Sequence, residues 1–207
     1  MDKDKSKALK KVLTPEFRVS FPQVYEPKSF NGSKEKFSCV MLFDKTKADL
    51  TALKKAVTAA AIERWGSKEK WPKGLKMPFK DGDEKSHLAG YEGMTVVTAS
   101  SLQAPDVVGG KKGPDGRFPK ITDASGDFYA GCYARATLIA FAYPKEGVKG
   151  ISPGVSFSLQ NIQKLRDGEQ FSGRQEAESE FDDVEDDSDD EANYGSESSD
   201  TDSDDGY

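Results

Sequence analysis

Cations interleaved with aromatic rings recur in three stretches of this chain. Residues 23–36 carry Tyr25, Lys28, Phe30, Lys34 and Lys36. Residues 73–80 carry Lys73, Lys76, Phe79 and Lys80. Residues 105–125, rich in Gly and Pro, carry Lys111, Lys112, Arg117, Phe118 and Lys120. Cations that follow phosphates and flat rings that stack on bases are what binding a single strand without sequence preference requires. Each lysine alone also fits a solvated surface charge, and Phe30 and Phe79 also fit ordinary packing. The collective excess is the signal.

Other chemistry is thinly represented. The amides of Gly109–Gly113 are suited to cradling a phosphate, but the strand–loop–helix setting of a nucleotide-binding loop is missing. That segment reads as a flexible basic loop. The single histidine, His87, has no cysteine near it, which leaves a zinc site or a histidine-based triad without support. Abundant carboxylates leave a metal-dependent nuclease open, although the acidic runs lack the spacing of a calcium loop. The expectation is a protein without enzymatic activity, metal or cofactor.

Charge divides the chain. Residues 176–207 hold sixteen Asp or Glu and no Lys or Arg. Residues 1–175 therefore hold twenty acidic against thirty basic residues, a net of +10, although the whole chain is −6. A basic body points to a polyanionic partner. The acidic tail cannot bury a core and is expected to be disordered. Residues 1–15 read as a loose basic arm, leaving 16–175 as one folded domain. Cys39 and Cys132 lie in apolar, strand-like runs and read as buried thiols in a reducing compartment. No apolar run reaches membrane-spanning length and no signal peptide is evident, so a cytoplasmic protein without a membrane partner is expected.

The elements that must position these residues centre on Asp127–Tyr143. Read with period two, Phe128, Ala130, Cys132, Ala134, Ala136, Leu138, Ala140 and Ala142 form a small apolar face. Tyr129, Tyr133 and Arg135 fall on the opposite, aromatic face, and Gly131 marks a bend or bulge. Four more strands are expected: Phe17–Phe21 (stopped by Pro22 and Pro27), Lys36–Phe43 after an Asn31-Gly32 turn, Met94–Ser101 and Gly154–Leu165. Lys47–Trp65 repeats Leu50, Leu53, Val57, Ala60 and Ala61 at helical spacing, with Asp44 or Thr46 as cap and Gly66 as stop. Residues 66–92 read as irregular. The sum is mainly β, a five-stranded partly open barrel with one packing α-helix.

Phe17–Glu26 (FRVSFPQVYE), Lys80–Asp83 (KDGD), Phe128–Ala134 (FYAGCYA) and Asn161–Gly168 (NIQKLRDG) together resemble a phage family of single-stranded-DNA-binding proteins. That family is related in fold to the replication protein of T7-like phages. The resemblance spans roughly residues 15–175 and extends to the type of acidic tail. It implies an OB-fold that coats single strands in phage replication, recombination and repair, in the cytoplasm of the infected host. It also implies a tail that docks partners such as a polymerase or helicase-primase, for which Phe181, Tyr194 and Tyr207 are the candidates. A homodimer is left open. An OB-fold binds with its middle strands and the loops between strands one–two and four–five. That ranks residues 23–36 first and adds Lys145 and Lys149 of the four–five turn, with Tyr129, Tyr133 and Arg135 as a floor. The alternatives kept beside this reading are an acidic-tailed nucleic-acid mimic or chaperone for basic proteins, and the carboxylate nuclease.

Overall fold

The computed structural model describes residues 10–29, 34–144 and 150–171, all within the compact unit Met1–Gly173. In chain order its elements are β1 (Lys11–Leu13), β2 (Phe17–Lys28), β3 (Lys36–Asp44), α1 (Thr51–Trp65), β4 (Phe79–Asp81), β5 (Met94–Ser101), β6 (Asp106–Val108), β7 (Tyr133–Tyr143) and β8 (Gly154–Arg166). The five long strands close into a ring. β2 pairs antiparallel with β3, β3 with β5, and β7 with both β8 and β2, while β5 and β8 run parallel. In order of the long strands the ring reads one, two, three, five, four, which is the Greek-key barrel of an OB-fold.

Alternation fills the barrel. Cys132, Ala134, Ala136, Leu138 and Ala140 are buried along one face of β7 and its approach. These mostly small side chains leave room for Phe17, Phe43 and Phe157, which are fully buried. Phe17 and Phe43 meet edge to face at 5.6 Å. Each such ring contributes roughly 1.5–3 kcal/mol by burial. Cys39 and Cys132 are free, buried thiols, and burial pushes both upward in pKa. The buried stripe of α1 is Leu53, Ala56, Val57, Ala60 and Ala61, packed against β7 and β1.

Several expectations need correction. The first strand does not stop at Pro22 but continues to Lys28. Ser20 pairs with Val40 and Gln23 with Ser38, so one extra residue bulges out and no ladder bond is asked of Pro22. The central stretch is strand only from Tyr133; Gly131, at φ 110°, turns the chain before it. The helix starts at Thr51 rather than Lys47. Asp44 instead accepts bonds from the Thr46 amide (2.8 Å) and hydroxyl (2.6 Å), and Asp49 accepts from the Thr51 amide (2.9 Å). Residues 66–92 are not wholly irregular, because β4 pairs with the first half of β5 and Lys76 bridges to Gly154 of β8. That segment fills the gap where β5 and β8 diverge. Within the stretch expected to be a loose arm, β1 pairs with Thr137–Ile139 of β7, and Lys10 meets Glu63 of α1. The Asn31-Gly32 turn and the acidic tail lie outside the described residues.

Candidate nucleic-acid interface

The pairing of β2, β3 and β5 sets their outward side chains in rows. From one end these are Arg18–Leu42–Val96, Ser20–Val40–Thr98, Gln23–Ser38–Ser100 and Lys28–Lys36. The Lys28–Lys36 end carries three exposed cations, Lys28, Lys36 and Lys34 just before β3, with exposed Glu26 and Glu35 among them. Lys80 of β4 pairs with Val96 and extends the first row by another exposed cation. The middle rows are uncharged, with the Ser38 hydroxyl donating to Gln23 Oε1 at 3.1 Å. At the far end a second hydrophobic cluster roofs the sheet: Leu42, Tyr91 and Val96, with Val40, Leu88, Met94 and Phe171 against them. The Ser20 and Tyr91 hydroxyls lie 3.2 Å apart beneath that roof.

The first row continues across the barrel seam. Arg18 pairs with Tyr133 and Tyr133 with Arg166. The guanidinium of Arg166 lies 3.4 Å from the Tyr133 ring centre, and that of Arg18 lies 5.9 Å from the same ring and 4.2 Å from Phe171. Rings and guanidinium planes thus alternate as Phe171, Arg18, Tyr133, Arg166, each contact a favourable cation–π pair. Glu16 holds Arg166 in a fork of 2.6 and 3.3 Å.

After β8 the chain doubles back as a strap, residues 167–171. The Phe171 amide donates to Ala130 O at 3.0 Å. Arg18 donates to Gly131 O at 3.2 Å and Glu169 O at 2.7 Å. The crossing is close because glycine permits it: a Cβ on Gly131 would sit 2.1 Å from Glu169 O. Tyr129 fastens the strap by donating to Asp167 Oδ1 at 3.0 Å, with Lys164 over its ring at 5.3 Å. Bonds from Lys164 and Tyr129 hold the Asp167 carboxyl below its usual pKa. Beside the ladder opens a cleft of about 240 Å³ among Glu16, Arg18, Asp44, Lys47, Tyr133 and Arg166. Bonds from Thr46, then Lys47, bring the Asp44 carboxyl down to about 2.

The residues singled out in the sequence are dispersed. Tyr25 is half-buried with its ring against the main core and its hydroxyl donating to Ile121 O at 3.3 Å. Burial, then Asp123 and Asp127, push its pKa up to about 12. Lys28, Lys34 and Lys36 gather at one end of the outer face. Lys76 is exposed at the start of β8, whereas Phe79 packs edge to face on Phe157 at 6.3 Å. Lys111, Lys112 and Arg117 are exposed on a loop tied by the Gly109 amide to Pro119 O and the Gly113 amide to Arg117 O; Lys112 sits 5.5 Å from the Phe118 ring. Tyr129, Tyr133 and Arg135 are not gathered into one floor. Tyr133 joins the ladder, Tyr129 holds the strap, and Arg135 donates to Gln163 Oε1 at 2.8 Å on the β7–β8 face. Phe30, Lys145, Lys149, Phe181, Tyr194 and Tyr207 lie outside the described residues. Sequence reading passed over Arg18, Arg166 and Phe171. The alternation Phe17–Arg18–Val19 marks Arg18 as outward, but nothing local signals that 18, 133, 166 and 171 meet.

Comparison with known proteins gives consistent matches. The family described as Enterobacter phage Enc34, ssDNA-binding protein, matches residues 10–192. Protein p50 of Acyrthosiphon pisum secondary endosymbiont phage 1 is 31% identical over 184 residues, covering 84% of this chain and 94% of its own. The single-stranded DNA-binding protein of bacteriophage Enc34, solved in complex with ssDNA, superposes with TM-score 0.62 at 20% identity, covering 78% of this chain and 89% of that one. Bacteriophage T7 gp2.5, a single-stranded DNA binding protein, superposes with TM-score 0.50 at 13% identity, covering 81% and 97%. At these identities the two structures speak to a shared fold.

Proposed function

The chain belongs to the Enterobacter phage Enc34 ssDNA-binding protein family, and from that membership we propose that it binds single-stranded DNA without sequence preference. In this reading it coats and protects single strands during phage replication, recombination and repair in the cytoplasm of the infected host, and has no enzymatic activity. The observation that carries it is the family match across residues 10–192. The outer face of β2, β3 and β5 supports it, as the surface an OB-fold offers to oligonucleotides. Lys28, Lys34 and Lys36 at one end of that face and Lys80 at the other supply phosphate contacts, and Lys76, Lys111, Lys112 and Arg117 are further exposed cations away from it. Among the described residues no cluster of three or more His, Cys, Asp or Glu is placed to hold a metal ion, so the nuclease alternative gains no support there.

The acidic tail has two roles in this proposal. Its carboxylates imitate phosphates and its rings imitate bases, so a tethered tail at high effective concentration competes for the basic face. A bound single strand displaces it and leaves Phe181, Tyr194 and Tyr207 for replication proteins such as a polymerase or helicase-primase. Self-association into a homodimer is compatible with this scheme. The test is titration with a labelled mixed-sequence oligonucleotide, with and without Mg²⁺. Tight binding with the oligonucleotide intact is expected. Metal-dependent shortening, or binding confined to basic proteins, overturns the reading.

A further inference from the structure

Phe21 is the one non-glycine residue with positive φ among the described residues, at 43°. In that region the Cβ of an L-residue crowds its neighbouring carbonyl, whereas glycine enters it without steric cost. Simple alternation would send residue 21 into the barrel behind Phe17 and Val19, which are buried. The bulge between Ser20 and Gln23 expels it instead, and Val24 resumes the buried file. Phe21 is left 44% exposed. Backbone strain and apolar exposure are thus both sustained at one position. Strain of this kind concentrates where a surface binds something.

The neighbourhood says what. Phe21 lies in the bulge of β2 between the uncharged Ser20–Val40 and Gln23–Ser38 pairs of the outer face. We propose that Phe21 is a nucleobase-stacking platform of the single-strand site. The proposal rests on the single-strand reading above and deepens it by assigning a ring to the base-contacting role. A base laid on this ring covers its exposed apolar face, and exposed Lys28, further along the same strand, is left for the phosphate backbone. Every base has a π-face, so such a platform is indifferent to sequence. Glycine at position 21 would remove the strain and keep the bulge, so it separates binding from folding.

The experiment uses the full-length chain as wild type, Phe21→Gly and Phe21→Trp, with a labelled mixed-sequence oligonucleotide as probe. The Gly variant is expected to melt at or above the wild-type temperature and to bind about 5- to 150-fold more weakly, the range for loss of one base–aromatic stack. The Trp variant is expected to bind close to wild type. It should also show a fluorescence change on binding beyond that of Trp65 and Trp71 in the wild type. A Gly variant of undiminished affinity, a Gly variant that unfolds, or a Trp variant without the added signal overturns the assignment and leaves the single-strand reading standing. A wild-type protein that ignores the oligonucleotide overturns both.

Discussion

Tyr25 shows how one side chain is drawn from the surface into the framework. Its hydroxyl reaches Ile121 O, and burial with Asp123 and Asp127 nearby raises its pKa to about 12. The folded state therefore holds the phenol proton more tightly than the unfolded state, whose pKa is near about 10. The stabilisation is complete below the unfolded value and is lost as pH climbs through the folded one. Denaturant melts of wild type and Tyr25→Phe at pH 9 and pH 11 should show the wild type losing more stability over that interval; equal losses contradict the assignment. Lys28 and Lys36, facing each other across β2 and β3, act through charge instead. Each phosphate contact contributes about −0.7 to the log–log salt slope of single-strand binding. The Lys28→Ala/Lys36→Ala double variant should flatten that slope by about 1.4, measured by titration at several salt concentrations. An unchanged slope would move the phosphate track off this edge.

At the scale of elements, the strap and the bulge depend on particular backbone positions. Gly131→Ala should destabilise the fold by about 2–3 kcal/mol, from strain and from collision with the strap. Gly126→Ala is the control, since Gly126 is left-handed at φ 65° but has nothing within 4 Å of its would-be Cβ; it should cost only about 1 kcal/mol. Urea midpoints of the two variants check this, and equal costs would show that the strap does not press on Gly131. The barrel was largely legible in sequence because alternation is a local signal. The small apolar file of β7 and the helical stripe of α1 announce their own burial. What escaped reading has a common cause. Pro22 suggests a stop unless the expelled residue beside it is seen, and a three-residue strand such as β4 is too short to have a period. The ladder of Arg18, Tyr133, Arg166 and Phe171 exists only once three strands and a strap are folded together. Tyr25 and Phe79 carried the right chemistry in the sequence, yet their rings lie against the core.

For the whole molecule, the decisive property is the separation of charge between a body of +10 and the acidic residues 176–207. Deleting 176–207 should tighten single-strand binding and produce measurable duplex binding at low salt, with the difference shrinking as salt screens both competitors. Filter binding of full-length and truncated protein to matched single-stranded and duplex oligonucleotides checks this; identical affinities would remove the tail from the binding face. Family membership carries the proposal of single-strand binding, and the OB barrel with the lysines of its outer face supports it. Its most direct test is titration of the full-length protein with one mixed-sequence oligonucleotide, single-stranded and annealed to its complement, across a range of salt concentrations. The account predicts a marked preference for the single strand, with a log–log slope near about −3.5 for five phosphate contacts. Equal affinity for the duplex, or single-strand affinity that does not change with salt, would contradict it.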